Sequence, residues 1–75
     1  MPNRITSTST VTATVEGVLP EVGLAYLAGD DHRDWTVTRS TRGVGLEALK
    51  TGQRVNLTIE QHQRFAVVHE YAAAT

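Results

Sequence analysis

Apolar and polar side chains alternate along most of this chain, and they do so in short runs. Val55, Leu57 and Ile59 stand between Asn56, Thr58 and Glu60. Val11, Ala13 and Val15 stand between Thr10, Thr12, Thr14 and Glu16, and Trp35-Thr36-Val37-Thr38 repeats the rhythm. A period of two puts successive side chains on opposite faces, the mark of a half-buried β-strand. The gaps between runs are rich in turn formers. Gly17 and Pro20 bend or stop the first run. Val22-Gly23-Leu24-Ala25-Tyr26-Leu27 is a second short strand. Gly29-Asp30-Asp31-His32-Arg33 follows as a turn whose side chains bond their own backbone.

The segment Arg39 to Leu49 has no clear period and contains Gly43 and Gly45. It reads as the long connection, with one helical turn around Leu46-Glu47-Ala48-Leu49-Lys50. Thr51-Gly52 and Gln61-His62-Gln63 are turns, and Arg64 to Tyr71 is the last strand. The pattern predicts five antiparallel strands near residues 10–18, 22–28, 34–39, 53–60 and 64–71, with no full helix and no internal repeat.

Seventy-five residues make one domain. An open sheet of that size cannot protect its edges, whereas a closed barrel has none. The expected fold is therefore all-β, a small five-stranded antiparallel OB-fold barrel over residues 10–71. Residues 1–9 are expected as a flexible lead-in and 72–75 as a frayed tail. The expected core is Val11, Ala13, Val15, Ala25, Leu27, Trp35, Val37, Leu49, Val55, Leu57, Ile59 and parts of Phe65 to Val68. By alternation Trp35 shares the inner face with Val37, and a one-residue bulge would turn it outward.

The order of these parts resembles the cold-shock domain family. That family places a glycine-rich strand of the type Lys-Gly-Phe-Gly-Phe-Ile before a Val-Phe-Val-His strand. A long loop and Leu-x-x-Gly-Gln-x-Val then lead into another strand. Here Val22 to Leu27 stands in place of the glycine-rich strand, and Asp34-Trp35-Thr36-Val37-Thr38 in place of Val-Phe-Val-His. Leu49-Lys50-Thr51-Gly52-Gln53-Arg54-Val55-Asn56-Leu57-Thr58-Ile59-Glu60 is the strongest match. The resemblance runs from about Thr10 to about Tyr71 and implies a cold-shock-like barrel.

The resemblance also implies binding of single-stranded RNA or DNA, by stacking bases on outward aromatics beside a basic groove. At the matching positions most aromatics are absent. Glu16-Gly17-Val18 replaces Lys-Trp-Phe, Leu24 replaces the first aromatic of the glycine-rich strand, and Thr36, Thr38 and Arg39 replace Phe, His and Phe. Tyr26 alone stays aromatic. Each lost platform removes roughly 1–3 kcal/mol per stacked base.

Charge bears on the same question. Seven basic and eight acidic residues give a net charge of −1, which supplies no global pull on a polyanion. Arg33, Arg39, Arg42, Lys50, Arg54 and Arg64 are candidate phosphate contacts, interspersed with Glu16, Glu21, Asp30, Asp31 and Asp34. Two readings follow. In the first, the chain is a divergent single-stranded nucleic-acid binder, weak and salt-sensitive, that uses Leu24, Tyr26, Thr36, Thr38, Arg39 and Arg42. In the second, it is a protein-interaction module, a regulator that binds a protein partner. The same face, Val18, Leu24, Tyr26, Thr36 and Thr38, then meets that partner.

Other chemistries find little support. The chain has no cysteine, hence no disulfide or thiolate metal site. Asp30-Asp31-His32-Arg33-Asp34 matches no calcium-loop spacing, and His62 and His69 show no ligand spacing. No nucleophile motif, phosphate loop or His/carboxylate set appears. The expectation is a non-enzyme with no cofactor, no small-molecule substrate and no membrane span. It is expected to be cytoplasmic and of bacterial or phage type.

Overall fold

The computed structural model of the protein describes residues 7–74. Its elements are β1 (Ser7–Leu19), β2 (Leu24–Gly29), β3 (Asp34–Thr38), a 3₁₀ turn (Leu46–Ala48), β4 (Arg54–Gln61) and β5 (Ala66–Ala73). They form one antiparallel sheet in the order β3-β2-β1-β4-β5. The sheet curls into an OB-type half-barrel. All five expected strands are present, and the long connection does carry a single helical turn. Among the described residues no helix is long and apolar enough to cross a membrane.

β1 is the shared strand. Its first half pairs with β4, Ser7 opposite Gln61 through Thr14 opposite Arg54. Its second half pairs with β2, Ala13 opposite Gly29 through Leu19 opposite Leu24. Gly17 does not end the strand. Glu16 is instead an extra residue between the pairs Val15–Leu27 and Gly17–Tyr26. Such a bulge bends a strand and lets it serve two neighbours.

The inner face is lined by Ala13, Val15, Ala25, Leu27, Trp35, Val37, Leu46, Leu49, Val55, Leu57, Ile59 and Tyr71, all buried. Trp35 is inside, as alternation predicts. Val11 packs against this cluster without being fully covered. Leu46 and Leu49 of the long connection join this core. Three residues per turn in a 3₁₀ helix put positions i and i+3 on one face, so both leucines point inward.

Several expectations are corrected. Ser7 to Ser9 belong to β1 rather than to a lead-in, whose remainder lies outside the described residues. β2 begins at Leu24, because Val22 sits in the turn closed by the Val22 and Gly23 amides donating to Leu19 O. Ala72 and Ala73 are in β5 rather than in a frayed tail, and the Ala74 amide donates to Arg54 O at 3.0 Å. Phe65 is not core. It lies in the turn before β5, 55% exposed, and stacks on His62 with ring centroids 4.7 Å apart. Val18 pairs with Ala25 and packs against the core, so it is absent from the outer face.

The barrel is also less closed than expected. β3 and β5 run parallel but share no ladder. An isolated bridge, Arg42 with Glu70, joins the two sides, with the Tyr71 amide donating to Arg42 O at 2.9 Å.

Candidate functional site

The outer face of β1, β2 and β3 is built by pairing across the strands. One row holds Leu19, Leu24 and Thr38, and the next holds Gly17, Tyr26 and Thr36. Tyr26 is 44% exposed, and among the described residues no atom beyond the adjoining residues lies within 4 Å of where a Gly17 Cβ would stand. One flank of the Tyr26 row is thus bare backbone. Thr36 is exposed, while Leu24 and Thr38 are half-covered. The predicted residues Leu24, Tyr26, Thr36 and Thr38 therefore do share one surface.

The arginines do not join them equally. Arg39 donates from Nη2 to the carbonyl of Pro20 and from Nη1 to Glu47 Oε2 at 3.4 Å. It ties the β1–β2 turn to the 3₁₀ turn and is committed to the fold. Arg42 is exposed and contributes its backbone to the bridge with Glu70. Its guanidinium makes no ion pair among the described residues. Arg54 is paired with Asp30, Nη1 to Oδ1 at 3.0 Å and Nη2 to Oδ2 at 2.7 Å. The Arg54 hydrogen bond is the main reason that the Asp30 carboxyl is held below its ordinary value.

A cleft of about 440 Å³ lies beside this face, between β3 and β5. Trp35 forms part of it, with Asp34, Thr36, Thr38 and Thr41 on one wall and Ala66, Val67 and Val68 on the other. The Arg33 guanidinium carbon sits 4.8 Å from the centroid of the Trp35 ring. Asp31 Oδ1 accepts the Arg33 amide at 3.2 Å and faces the Trp35 Nε1–H at 3.4 Å. The acidic hairpin turn thus fixes the indole edge. Sequence reasoning missed this cleft, because it arises from an absent strand pairing and not from any motif.

The histidines are brought together despite their separation in sequence. β4 and β5 carry a second bulge, at His69, between the pairs Thr58–Glu70 and Ile59–Val68. His69 Nδ1 lies 3.0 Å from Glu60 Oε2, and His62 Nε2 lies 3.4 Å from Glu60 Oε1. Glu60 thereby clamps the β4–β5 turn to the bulge. Among the described residues no three His, Cys, Asp or Glu side chains form a group that could hold a metal ion.

No family model matches the chain, and no curated protein matches it. Two solved structures are similar in fold. One is a crystal structure of Ag(I)CusF, with a TM-score of 0.64 and 17% identity over 91% of this chain and 99% of that one. The other is a copper(II) structure of a CusF variant from Escherichia coli, with a TM-score of 0.63 and 17% identity over 91% of this chain and 92% of that one. At that identity the likeness is one of fold.

Proposed function

We propose that this protein is a protein-interaction module that meets its partner through the outer face of β1, β2 and β3. One observation carries the reading: the face presents Leu19, Leu24, Tyr26 and Thr36, while Arg39, the residue next after Thr38, is bound to Pro20 and Glu47. Centres of protein interfaces are poor in charge and rich in aromatic and aliphatic surface. An exposed tyrosine beside bare backbone is a suitable anchor. A polyanion gains its affinity from cations that are free to neutralise phosphate, and a single stacking aromatic offers little beside that.

The silver and copper of the CusF structures do not transfer readily to this chain. Silver(I), like copper(I), favours thiolate and thioether ligands, whereas copper(II) accepts imidazole. This sequence has no cysteine and one methionine, Met1, outside the described residues, and among the described residues no three His, Cys, Asp or Glu side chains gather.

The test compares two ligands. Affinity capture with the full chain should retain a partner in a saturable, stoichiometric manner, and Tyr26→Glu should abolish it without loss of fold. A pyrimidine-rich single strand at low salt should give no saturable signal. Oligonucleotide binding tighter than about 10⁻⁶ M that falls steeply with salt would overturn the reading in favour of nucleic acid.

A further inference from the structure

The cleft between β3 and β5 is bounded by backbone as well as side chains, and the hydrogen-bond parity identifies which groups. On the β2–β3 ladder the Gly29 amide donates to Arg33 O and the Arg39 amide to Gly23 O. Those pairs flank the register Ala25–Val37 and Leu27–Trp35. In an antiparallel ladder hydrogen-bonded pairs alternate with pairs whose groups point the other way. Asp34, Thr36 and Thr38 therefore aim their N–H and C=O groups away from β2, into the cleft. Thr38 is already satisfied, its amide by Thr41 Oγ1 at 3.0 Å and its carbonyl by the Thr41 amide at 3.1 Å. Asp34 and Thr36 have no such partner among the described residues.

The same reasoning applies to β5. The His62 amide donates to Phe65 O, which sets the parity of the pairs Glu60–Val67, Gln61–Ala66 and Ile59–Val68. Ala66 and Val68 then turn their N–H and C=O groups away from β4, toward β3. Two open strand edges thus face one slot, with Trp35 beneath and the Arg42–Glu70 bridge closing one end.

We propose that this slot takes one extended segment of a partner protein as an added strand, paired to β3 and reaching toward β5. The inference rests on the protein-interaction reading above and states how the partner is held. Unpaired main-chain donors and acceptors in a row are matched by another extended backbone, and pockets for alternate side chains supply selectivity. Asp34 and Thr36 offer two positions, enough for about three residues of added strand. Side chains pointing inward would rest on Trp35, Ala66 and Val68, which calls for small apolar residues. Arg33 forms no ion pair among the described residues and stands at the open end, so a carboxylate suits that end of the segment. The alternate side chains would emerge beside Thr36 on the outer face.

The test uses the full chain and a displayed library of random seven-residue peptides. Selected peptides should be enriched in small apolar residues at alternate positions. Bound, they should slow hydrogen exchange at the Asp34 and Thr36 amides by about tenfold or more. Methylating alternate backbone nitrogens of such a peptide should weaken binding by about tenfold or more, since each methyl removes a main-chain donor. Asp34→Pro removes one free N–H at the first residue of an edge strand, where proline is tolerated, and should have the same effect with the fold intact. Peptides that shift only Leu24 and Tyr26 resonances and ignore both changes would overturn strand addition and leave the outer-face reading standing. Slow exchange at Asp34, Thr36, Ala66 and Val68 in the free protein would also overturn it, because β3 and β5 would then be pairing with each other. Failure to select any peptide would overturn it as well, and capture through Tyr26 would still test the face separately.

Discussion

The ring of Tyr71 lies directly against the backbone of Gly43: a Cβ at that glycine would stand 2.6 Å from both Cε1 and Cζ. The Tyr71 hydroxyl in turn accepts the Gly45 amide at 3.1 Å. This contact fastens the long connection to β5 next to the Arg42–Glu70 bridge. Gly43→Ala should destabilise the fold by about 1–3 kcal/mol through overpacking. Tyr71→Phe, which keeps the ring and loses the acceptor, should cost about 1 kcal/mol. Urea unfolding of both variants checks the pair. A neutral Gly43→Ala would mean that the connection is free to move off the ring.

Trp35 is the single tryptophan and is buried, so its emission reports on the core. Native emission should be blue-shifted and should move to the red on unfolding. Trp35→Ala should cost about 3–5 kcal/mol, a large part of what a domain of this size possesses. Exposed-type emission from the folded protein would place the indole outside.

The Asp30–Arg54 pair ties the β2–β3 turn to the start of β4, and its signature is a pH dependence. The folded-state value of Asp30 is depressed below 3.8, chiefly by the Arg54 hydrogen bond. A depressed carboxyl stabilises the fold above its unfolded value and loses that contribution as pH falls through the folded one. Asp30→Asn should therefore be less stable than the parent at pH 7, and the gap should close below about pH 3.8. The pair is solvent-exposed, so the gap should be small and should shrink with added salt. A gap that persists unchanged at pH 2 would assign the effect to the turn itself.

Arg39 gives a different prediction from the one its sequence position suggests. As a phosphate contact, its removal would flatten the salt dependence of oligonucleotide binding. As a tie between Pro20 and Glu47, its removal should instead loosen the β1–β2 turn. Arg39→Ala should speed hydrogen exchange at the Val22 and Gly23 amides and leave the β4–β5 amides unchanged.

The alternating runs made the five strands legible, because each strand buries one face and the period survives in the side chains. The core was legible for the same reason up to β4. It failed in β5, where the bulge at His69 reverses the inward parity: Ala66 and Val68 turn inward before it, and Tyr71 after it. Nothing in Val67-Val68-His69-Glu70 signals that extra residue. Leu46 was missed although its spacing from Leu49 suits a 3₁₀ turn, since no longer period announced it. The outer-face residues Leu24, Tyr26 and Thr36 followed directly from strand parity. The commitment of Arg39 and the slot between β3 and β5 did not, because both depend on how far the sheet curls.

β1 joins a near neighbour to a distant one, and this divides the order in which the chain can assemble. Its C-terminal end meets β2 across the short turn from Pro20 to Gly23, whereas Thr12 reaches Asn56 on β4, 44 residues away. Closing the longer loop carries the greater entropic cost, so the β1–β2–β3 meander should form early and β4 should dock late. The two ends of one strand then act on different rates. Weakening the Leu19 end should slow folding, while weakening the Thr10 end should mainly hasten unfolding.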